Sequence, residues 1–243
     1  MFIRVIVSFE SYNIMNDSND PNELDVFEQP KETGEFYPVF PISNAVFFPK
    51  TVIPLHIFEP RYKKMIAEVK NFGNKKFALT GLVTSVNPIR SKPEELGVLV
   101  EILEEEELPD GRFSIVVLIL ERVKILDYFR PYDLFSDDYA LGEIVSIPEE
   151  PIDSNSVEWI ELRKNLFMEF KSHFERITKR TLNLTEESIA ETFTPEESIN
   201  TVCNITLLNY QEKQSLLYLN SIYERGKRIL EIYRNFNQKQ RNL

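Results

Sequence analysis

The sequence predicts an α+β fold, in which a mostly antiparallel β domain that holds one helix is followed by a C-terminal bundle of helices. Three observations lead to this prediction. Short apolar stretches alternate with turn residues up to about residue 150, as in chains built of β-strands. One helical pattern interrupts these stretches after Pro60. From Asp153 onward the apolar residues recur every three or four positions, which is the period of an amphipathic helix.

We therefore divide the chain into three segments, residues 1–35, 36–150 and 151–243. The first is predicted to be a flexible acidic arm, because it holds eight carboxylates and two basic residues and its stretch 16–22 (NDSNDPN) consists of loop-forming residues. An arm that docks on the rest of the chain or on a partner is the alternative. The second segment is the predicted β domain, and the third is the predicted helical subdomain.

Composition and charge argue against several classes of protein. The chain has 243 residues, of which 42% are hydrophobic, so it can bury a full core. Its net charge of -11 argues against nucleic acids and anionic membranes as partners, because both need a basic face. No apolar run approaches the roughly 20 residues that span a bilayer. The single cysteine, Cys203, excludes an intrachain disulfide, so we expect a cytoplasmic protein with a buried structural thiol.

The stretch from Phe40 to Tyr62 is the least generic run in the sequence. Prolines at positions 41, 49 and 54 break it into short apolar pieces, each suited to a strand or an extended segment. Pro60 then opens a helical pattern, since proline is favoured in the first turn of a helix. The predicted buried face of this helix consists of Tyr62, Met65, Ile66 and Val69.

Further strands are predicted where apolar residues alternate or form short runs bounded by turns. The sequence 108–111 (LPDG) has the composition of a hairpin turn, and residues 84–96 are predicted to form a loop because they contain two prolines. Residues 122–127 (RVKILD) continue as another strand or as a bend. The predicted strands are 76–83, 98–103, 112–120 and 139–147.

The third segment contains several helical patterns. The first has an apolar stripe from Trp159 to Ile177, with Asn155 as its predicted cap. A shorter helix is predicted over residues 186–192.

Two later helices begin with a capping pattern, in which a side chain that accepts a hydrogen bond stands three residues before a glutamate. One start is Thr194 with Glu197. The other, Asn209 with Glu212, is predicted to begin the longest helix, in which Gly226 either permits close packing or forms a kink.

The residues offer little for catalysis or metal binding. His56 and His173 fall in different segments, and neither accompanies a nucleophile motif or the several ligands that zinc needs. Glu59 is interpreted as a helix cap, and Arg61 as the partner of a nearby carboxylate. All seven glycines are isolated, so the sequence has no phosphate-binding loop of the P-loop type. We therefore predict no catalytic residue, no metal and no cofactor.

The stretch from Phe40 to Tyr62 resembles the start of the Lon protease N-terminal (substrate-binding) domain family, whose pattern reads FPL, then VLFPG, then LPLxIFEPRY. Residues 122–126 (RVKIL) and 212–217 (EKQSLL) also resemble the family, and the likeness covers about residues 36–236. Lys50 replaces a glycine that is usual in the family, so an ordinary backbone is expected at Lys50. The matching signature positions are Phe40, Pro41, Phe48, Pro49, Pro54, Phe58, Glu59, Pro60, Arg61 and Tyr62.

The resemblance implies a PUA-like, mostly antiparallel β-barrel in a free-standing recognition domain that lacks the ATPase and protease modules of the family. It also implies a non-catalytic function, which is the binding of polypeptide clients or of a partner protein through exposed apolar side chains. RNA binding through the PUA-like barrel is one alternative, and a small-ligand or hydrolase role is another. The candidate binding residues are Phe72, Tyr128, Phe129 and Phe135.

Overall fold

Six strands and six helices make up the residues that the computed structural model describes, which are 34–71, 74–83, 92–133 and 135–241. The strands are β1 (Glu35–Ser43), β2 (Val52–Ile57), β3 (Lys76–Val83), β4 (Lys92–Glu107), β5 (Phe113–Arg130) and β6 (Ala140–Ile147). The helices are α1 (Pro60–Asn71), α2 (Val157–Thr178), α3 (Glu186–Thr192), α4 (Pro195–Ile205), α5 (Tyr210–Leu217) and α6 (Ile222–Arg241). Except for its last two residues, the predicted acidic arm lies outside the described residues.

The six strands form one mixed sheet in the order β2-β5-β4-β3-β1-β6. All neighbouring strands are antiparallel except β1 and β3, which are parallel, so the prediction of a mostly antiparallel β domain is confirmed. β6 pairs with β5 as well as with β1, and five strands therefore follow one another in a closed ring. β2 lies outside this ring on the first half of β5, so the sheet is not a regular barrel.

Two strands are longer than predicted. β4 begins at Lys92, so the predicted loop over residues 84–96 is wrong from Lys92 onward, because Lys92 and Pro93 pair with the end of β3. Pro93 fits there, since the first residues of a strand tolerate a missing backbone N–H. Residues 122–127 are the second half of β5, which spans 18 residues. Pairing with β2 in its first half and β6 in its second half keeps this long strand extended.

The backbone has a left-handed conformation in the predicted hairpin turn and at Lys50, which follows Pro49. Gly111 has a φ of +74° in the turn between β4 and β5, which confirms that turn. Lys50 has a φ of +59°, so the expectation of an ordinary backbone at this position is wrong. The N–H of Lys50 donates to the carbonyl oxygen of Ile119 at 2.8 Å. This bond to β5 accompanies a bend that glycine would adopt with less strain than lysine.

The helices α1, α3, α4 and α5 begin where predicted, whereas α2 has a different cap. α1 starts at Pro60, and its buried side chains include those predicted. Complete capping boxes start α4, at Thr194, and α5, at Asn209. α2 is capped by Ser156 rather than by Asn155, because the hydroxyl of Ser156 accepts a hydrogen bond from the N–H of Trp159.

The helix predicted to begin at Asn209 is two helices. α5 ends at Leu217 and α6 begins at Ile222, so the longest helix in the described part of the chain is α2, with 22 residues. Two buried arginines bind carbonyl groups at the end of α5 and in the connection to α6, which explains the break. α6 packs along α2 and also contacts α4 and α5.

Two clusters of buried apolar side chains form the core. The larger one joins α1 and the strands to α2, α4, α5 and α6, so the sheet and the helices share it. The smaller one lies among β1, β3, β4, β5 and β6. Cys203 is fully buried, and burial raises its pKa to about 12, which confirms the predicted structural thiol. Across the described ranges, no helix is both long and apolar enough to cross a membrane.

Gly226 provides a test of helix packing. A β-carbon at this position would lie 2.7 Å from Cδ1 of Ile199 and 2.9 Å from Cδ2 of Leu162. Overpacking typically costs about 1–3 kcal/mol, and alanine gains roughly 1 kcal/mol over glycine in a helix. We expect Gly226→Ala to lower the free energy of unfolding, measured by urea denaturation, by up to about 2 kcal/mol.

Asn235→Ala is the control, because Asn235 is exposed on the same helix. It should leave the free energy of unfolding unchanged or slightly higher. A Gly226→Ala variant more stable than the wild type would contradict close packing at Gly226.

Candidate functional site

A cleft with a volume of about 780 Å³ opens between the β6–α2 connection, the first turns of α2 and the segment that joins α3 to α4. This volume falls in the range of roughly 300–1,000 Å³ that is typical of ligand-binding clefts. Carboxyl groups and apolar side chains both line it. The lining includes Glu149, Ile152, Trp159, Ile160, Phe193 and Glu196.

Glu149 lies between two arginines from different parts of the fold. Its Oε1 atom is 3.1 Å from Nε of Arg122 on β5 and 2.5 Å from Nη2 of Arg225 on α6. Both arginine side chains are fully buried, and the side chain of Glu149 is 10% exposed. Because an unpaired buried charge is very costly, each of these three groups depends on the others to stay inside the protein.

Several N–H groups of the two guanidinium groups bind backbone carbonyls at the end of α5 and in the connection to α6. Arg122 donates to the carbonyl oxygen of Leu217 at 2.8 Å and to that of Leu219 at 3.2 Å. Arg225 donates to the carbonyl oxygen of Leu216 at 3.0 Å and to that of Leu219 at 2.7 Å. These bonds satisfy carbonyls that a continuing helix would have used, and they tie the helices to the sheet.

Glu196 lies in the first turn of α4, beside Glu149. The capping box of Thr194 and Glu197, with Pro195 at the first helical position, fixes where this turn begins. Burial raises the pKa of Glu196 to about 7, and the neighbouring carboxyl group of Glu149 adds to this shift. Glu196 therefore keeps its proton up to about neutral pH.

The rest of the lining is largely apolar. Trp159 is buried beneath the cleft, while Phe193 is 43% exposed between α3 and α4. Arg163, which also lines the cleft, forms an ion pair with Glu186 of α3. Neither histidine of the chain lines the cleft, so no imidazole base stands beside its carboxyl groups. This arrangement is suited to binding a ligand that has an apolar part and a polar end.

The signature residues pack inside the fold or at the start of α1. The rings of Phe40 and Tyr62 contact each other in a tilted arrangement, with centroids 4.1 Å apart. Arg61 pairs with Glu59 at 2.9 Å, as predicted, and it donates to the carbonyl oxygen of Asp133 at 3.0 Å. Among the other signature residues, Phe48, Pro41 and Pro49 are buried, and Phe58, Pro54 and Pro60 are exposed.

The candidate binding residues from the sequence lie outside the cleft or outside the described residues. Phe72 is a candidate that lies outside the described residues. Tyr128 and Phe129 lie on β5 rather than on a loop, and Tyr128 packs against the smaller core cluster. Phe129 is 77% exposed and makes an edge-to-face contact with Phe36, at 6.2 Å between ring centroids. Phe135 is 74% exposed in the connection between β5 and β6.

Sequence reasoning did not identify the residues of the cleft. Glu196 was visible only as part of a helix start, and Glu149 only as one of two glutamates between Pro148 and Pro151. One signal in the sequence did indicate a buried carboxylate, namely Arg122, which stands inside an apolar strand. An arginine buried there needs a carboxylate as its partner. The sequence does not say which of its 39 acidic residues would supply that partner.

Comparison with known proteins finds one family over most of the chain. The ATP-dependent protease La (LON) substrate-binding domain matches residues 37–235. The chain is similar to Lon protease of Orientia tsutsugamushi, with 27% identity over 199 residues, which are 80% of this chain and 24% of that protein. It is also similar to Lon protease 1 of Thermus thermophilus, with 28% identity over 204 residues. These residues are 80% of this chain and 24% of that protein. The chain thus spans about a quarter of the length of these relatives.

Solved structures share the fold. One is a Lon N-terminal domain protein from Xanthomonas campestris, with a TM-score of 0.57 and 16% identity over 81% of this chain and 98% of that one. Another is the N-terminal domain of Mycobacterium avium complex Lon protease, with a TM-score of 0.59 and 18% identity. This likeness covers 82% of this chain and 97% of that one. At these identities the likeness shows the fold alone.

Removal of one arginine tests the buried ion pairs. Arg225→Met leaves Glu149 with a single partner and removes the donor to the carbonyl of Leu216. Breaking a buried ion pair typically costs about 3–5 kcal/mol. We expect this loss in the free energy of unfolding, measured by guanidinium denaturation. Arg228→Met is the control, since Arg228 is exposed and pairs with Glu231 on the same helix, and it should cost about 0–1 kcal/mol. Equal losses in both variants would contradict the role of Arg225.

The raised pKa of Glu196 predicts a pH dependence of stability. The folded protein holds a proton on Glu196 up to about pH 7, whereas the unfolded chain releases it near 4.5. Stability from this group is therefore complete below pH 4.5 and is lost as the pH rises to about 7. We expect the free energy of unfolding of wild type minus that of Glu196→Gln to fall across this window and then level off. A constant difference in urea denaturation over the same pH range would contradict the shift.

Proposed function

Since the chain belongs to the LON substrate-binding domain family, we propose that it is a non-catalytic protein-binding domain that recognises polypeptide. The occupant is an unfolded client segment or a segment of a partner protein. The observation that carries the proposal is the family match over residues 37–235. We also propose that the closed ring of strands is PUA-like and that α2 to α6 form its C-terminal bundle.

The cleft is the proposed binding site. It is concave, and it combines apolar side chains with a few polar groups, which is typical of sites that bind extended ligands. Phe193 supports this choice, because a half-exposed aromatic ring at a cleft offers a large contact area with little loss of side-chain freedom. We propose a second contact surface for the same polypeptide, which consists of three exposed aromatic residues. They are Phe135 and the contacting pair Phe36 and Phe129.

The charge of the chain favours polypeptide over RNA. A net charge of -11 repels phosphate groups, and RNA binding would depend steeply on salt concentration. A hydrolase function would need a nucleophile and a base within hydrogen-bond reach of each other. Neither histidine of the chain supplies such a base in the cleft.

Truncation of Phe193 tests the proposed function. The probe is a fluorescently labelled protein that has been reduced and alkylated so that it stays unfolded, and the measurement is fluorescence anisotropy. We expect saturable binding in the micromolar range. Because aromatic residues at the centre of a binding site typically contribute most, Phe193→Ala should weaken binding about tenfold. Leu207→Ala is the matched control, since Leu207 is 91% exposed and does not line the cleft, and it should leave the affinity unchanged.

Three other outcomes of the binding test would change the proposal. No saturable binding by wild type would overturn the proposed function. Binding that Phe129→Ala weakens and Phe193→Ala does not would move the binding site from the cleft to the exposed aromatic pair. A labelled RNA that binds more tightly than the polypeptide, with a steep salt dependence, would favour the RNA alternative.

A further inference from the structure

Within the described ranges, the carboxylate of Glu149 has ion-pair partners but no aligned hydrogen-bond donor. In the described part of the chain, neither carboxylate oxygen of Glu149 receives an aligned hydrogen bond from an N–H or O–H group, although Oε1 lies within ion-pair distance of Arg122 and Arg225. Glu149 is nine-tenths buried and lines the cleft. Its other neighbour, Glu196, keeps its proton up to about neutral pH. A cation from a ligand could take the place of that proton.

The surrounding charges favour a single positive charge over a metal ion. The charged groups that act on Glu196 are Glu149, Lys50, Arg122 and Arg225, from four different parts of the chain. Arg122 and Arg225 are fully buried, and together with Glu149 they leave one excess positive charge. Ionised Glu196 balances this excess charge, and the exposed Glu191 of the lining adds one negative charge, which suits a single positive charge on a ligand. Among the described residues, no group of three or more His, Cys, Asp or Glu side chains could hold a metal ion.

The apolar lining fits the stem of a basic side chain. Lysine and arginine carry several methylene groups that pack on apolar surface while the charged end reaches a polar partner. Ile152, Ile160 and Phe193 supply such surface in the same cleft as Glu196. The exposed ring of Phe193 can also attract a cation to its face.

We infer that this cleft selects polypeptide segments with a lysine or arginine, whose charged group binds the carboxylate of Glu196 while its methylene groups pack on the apolar lining. This inference rests on the proposed polypeptide-binding function and names the residue type that the site recognises. As the basic group binds, the carboxylic acid releases its proton to solvent and a charge-assisted hydrogen bond forms. Binding of a basic segment therefore tightens as the pH rises through about 7.

The test compares two short labelled peptides that differ at one position, one with lysine and one with acetyl-lysine. Both have blocked termini, apolar neighbours and no histidine, so that their own charge is constant between about pH 6 and about pH 8. At about pH 8 we expect the lysine peptide to bind about tenfold more tightly by fluorescence anisotropy. At about pH 6 this ratio should shrink, because Glu196 keeps its proton.

Glu196→Gln should remove the preference for lysine. Glu231→Gln is the matched control, because it removes the same charge from an exposed position on α6 and should keep the preference. Equal binding of both peptides to the wild-type protein at about pH 8 would overturn the inference, and so would a preference that survives in Glu196→Gln. The pH series on wild type needs no variant, so a folding defect in Glu196→Gln leaves the inference testable.

The peptide test and the unfolded-polypeptide test fail separately. If the unfolded polypeptide binds and the two peptides bind equally, the proposed function stands and selection of a basic residue is wrong. If neither the unfolded polypeptide nor the peptides bind, both proposals are wrong.

Discussion

The pairing of Glu149 with two buried arginines is the interaction on which the rest of the structure depends. It joins the sheet, through Arg122 on β5, to the last helix, through Arg225 on α6. The same guanidinium groups bind the carbonyls of Leu216 and Leu217, so they also set the place where α5 ends. Since no member can lose its partner without leaving a buried charge, the helices are held on the sheet in one position. The floor of the cleft is a consequence of this arrangement.

The residues that are most specific in sequence support the cleft without lining it. Phe48 is fully buried, and the guanidinium of Arg225 lies over its ring at 5.6 Å from the centroid. The backbone of Phe48 exchanges hydrogen bonds with the side-chain amide of Asn204 on α4, at 3.1 and 3.2 Å. The signature stretch thus positions both the arginine beneath the cleft and the helix that carries Glu196. A family pattern of this kind reports the scaffold, while the proposed ligand contacts lie elsewhere on the chain.

Local sequence signals predicted the helices and strands that form because of interactions between residues close together in the chain. The strand at residues 76–83 and the start of α1 at Pro60 agree with the structure, because alternation of apolar residues and a proline in the first turn act within a few residues. Lys50 and the break after Leu217 could not be predicted this way. The left-handed bend at Lys50 accompanies a hydrogen bond to Ile119, and the end of α5 is set by arginines far away in sequence. In both cases a distant partner overrides the local preference.

Most of the strands and helices, the capping boxes and the family resemblance were readable in the amino-acid sequence, because they depend on residue type and short spacing. The cleft was not, because its carboxyl groups come from the β6–α2 connection and from the first turn of α4, and no short spacing relates them. Folding brings Glu149 and Glu196 together, and the low polarity of that place raises the pKa of Glu196. A carboxyl group acquires such a property only from its neighbours in space.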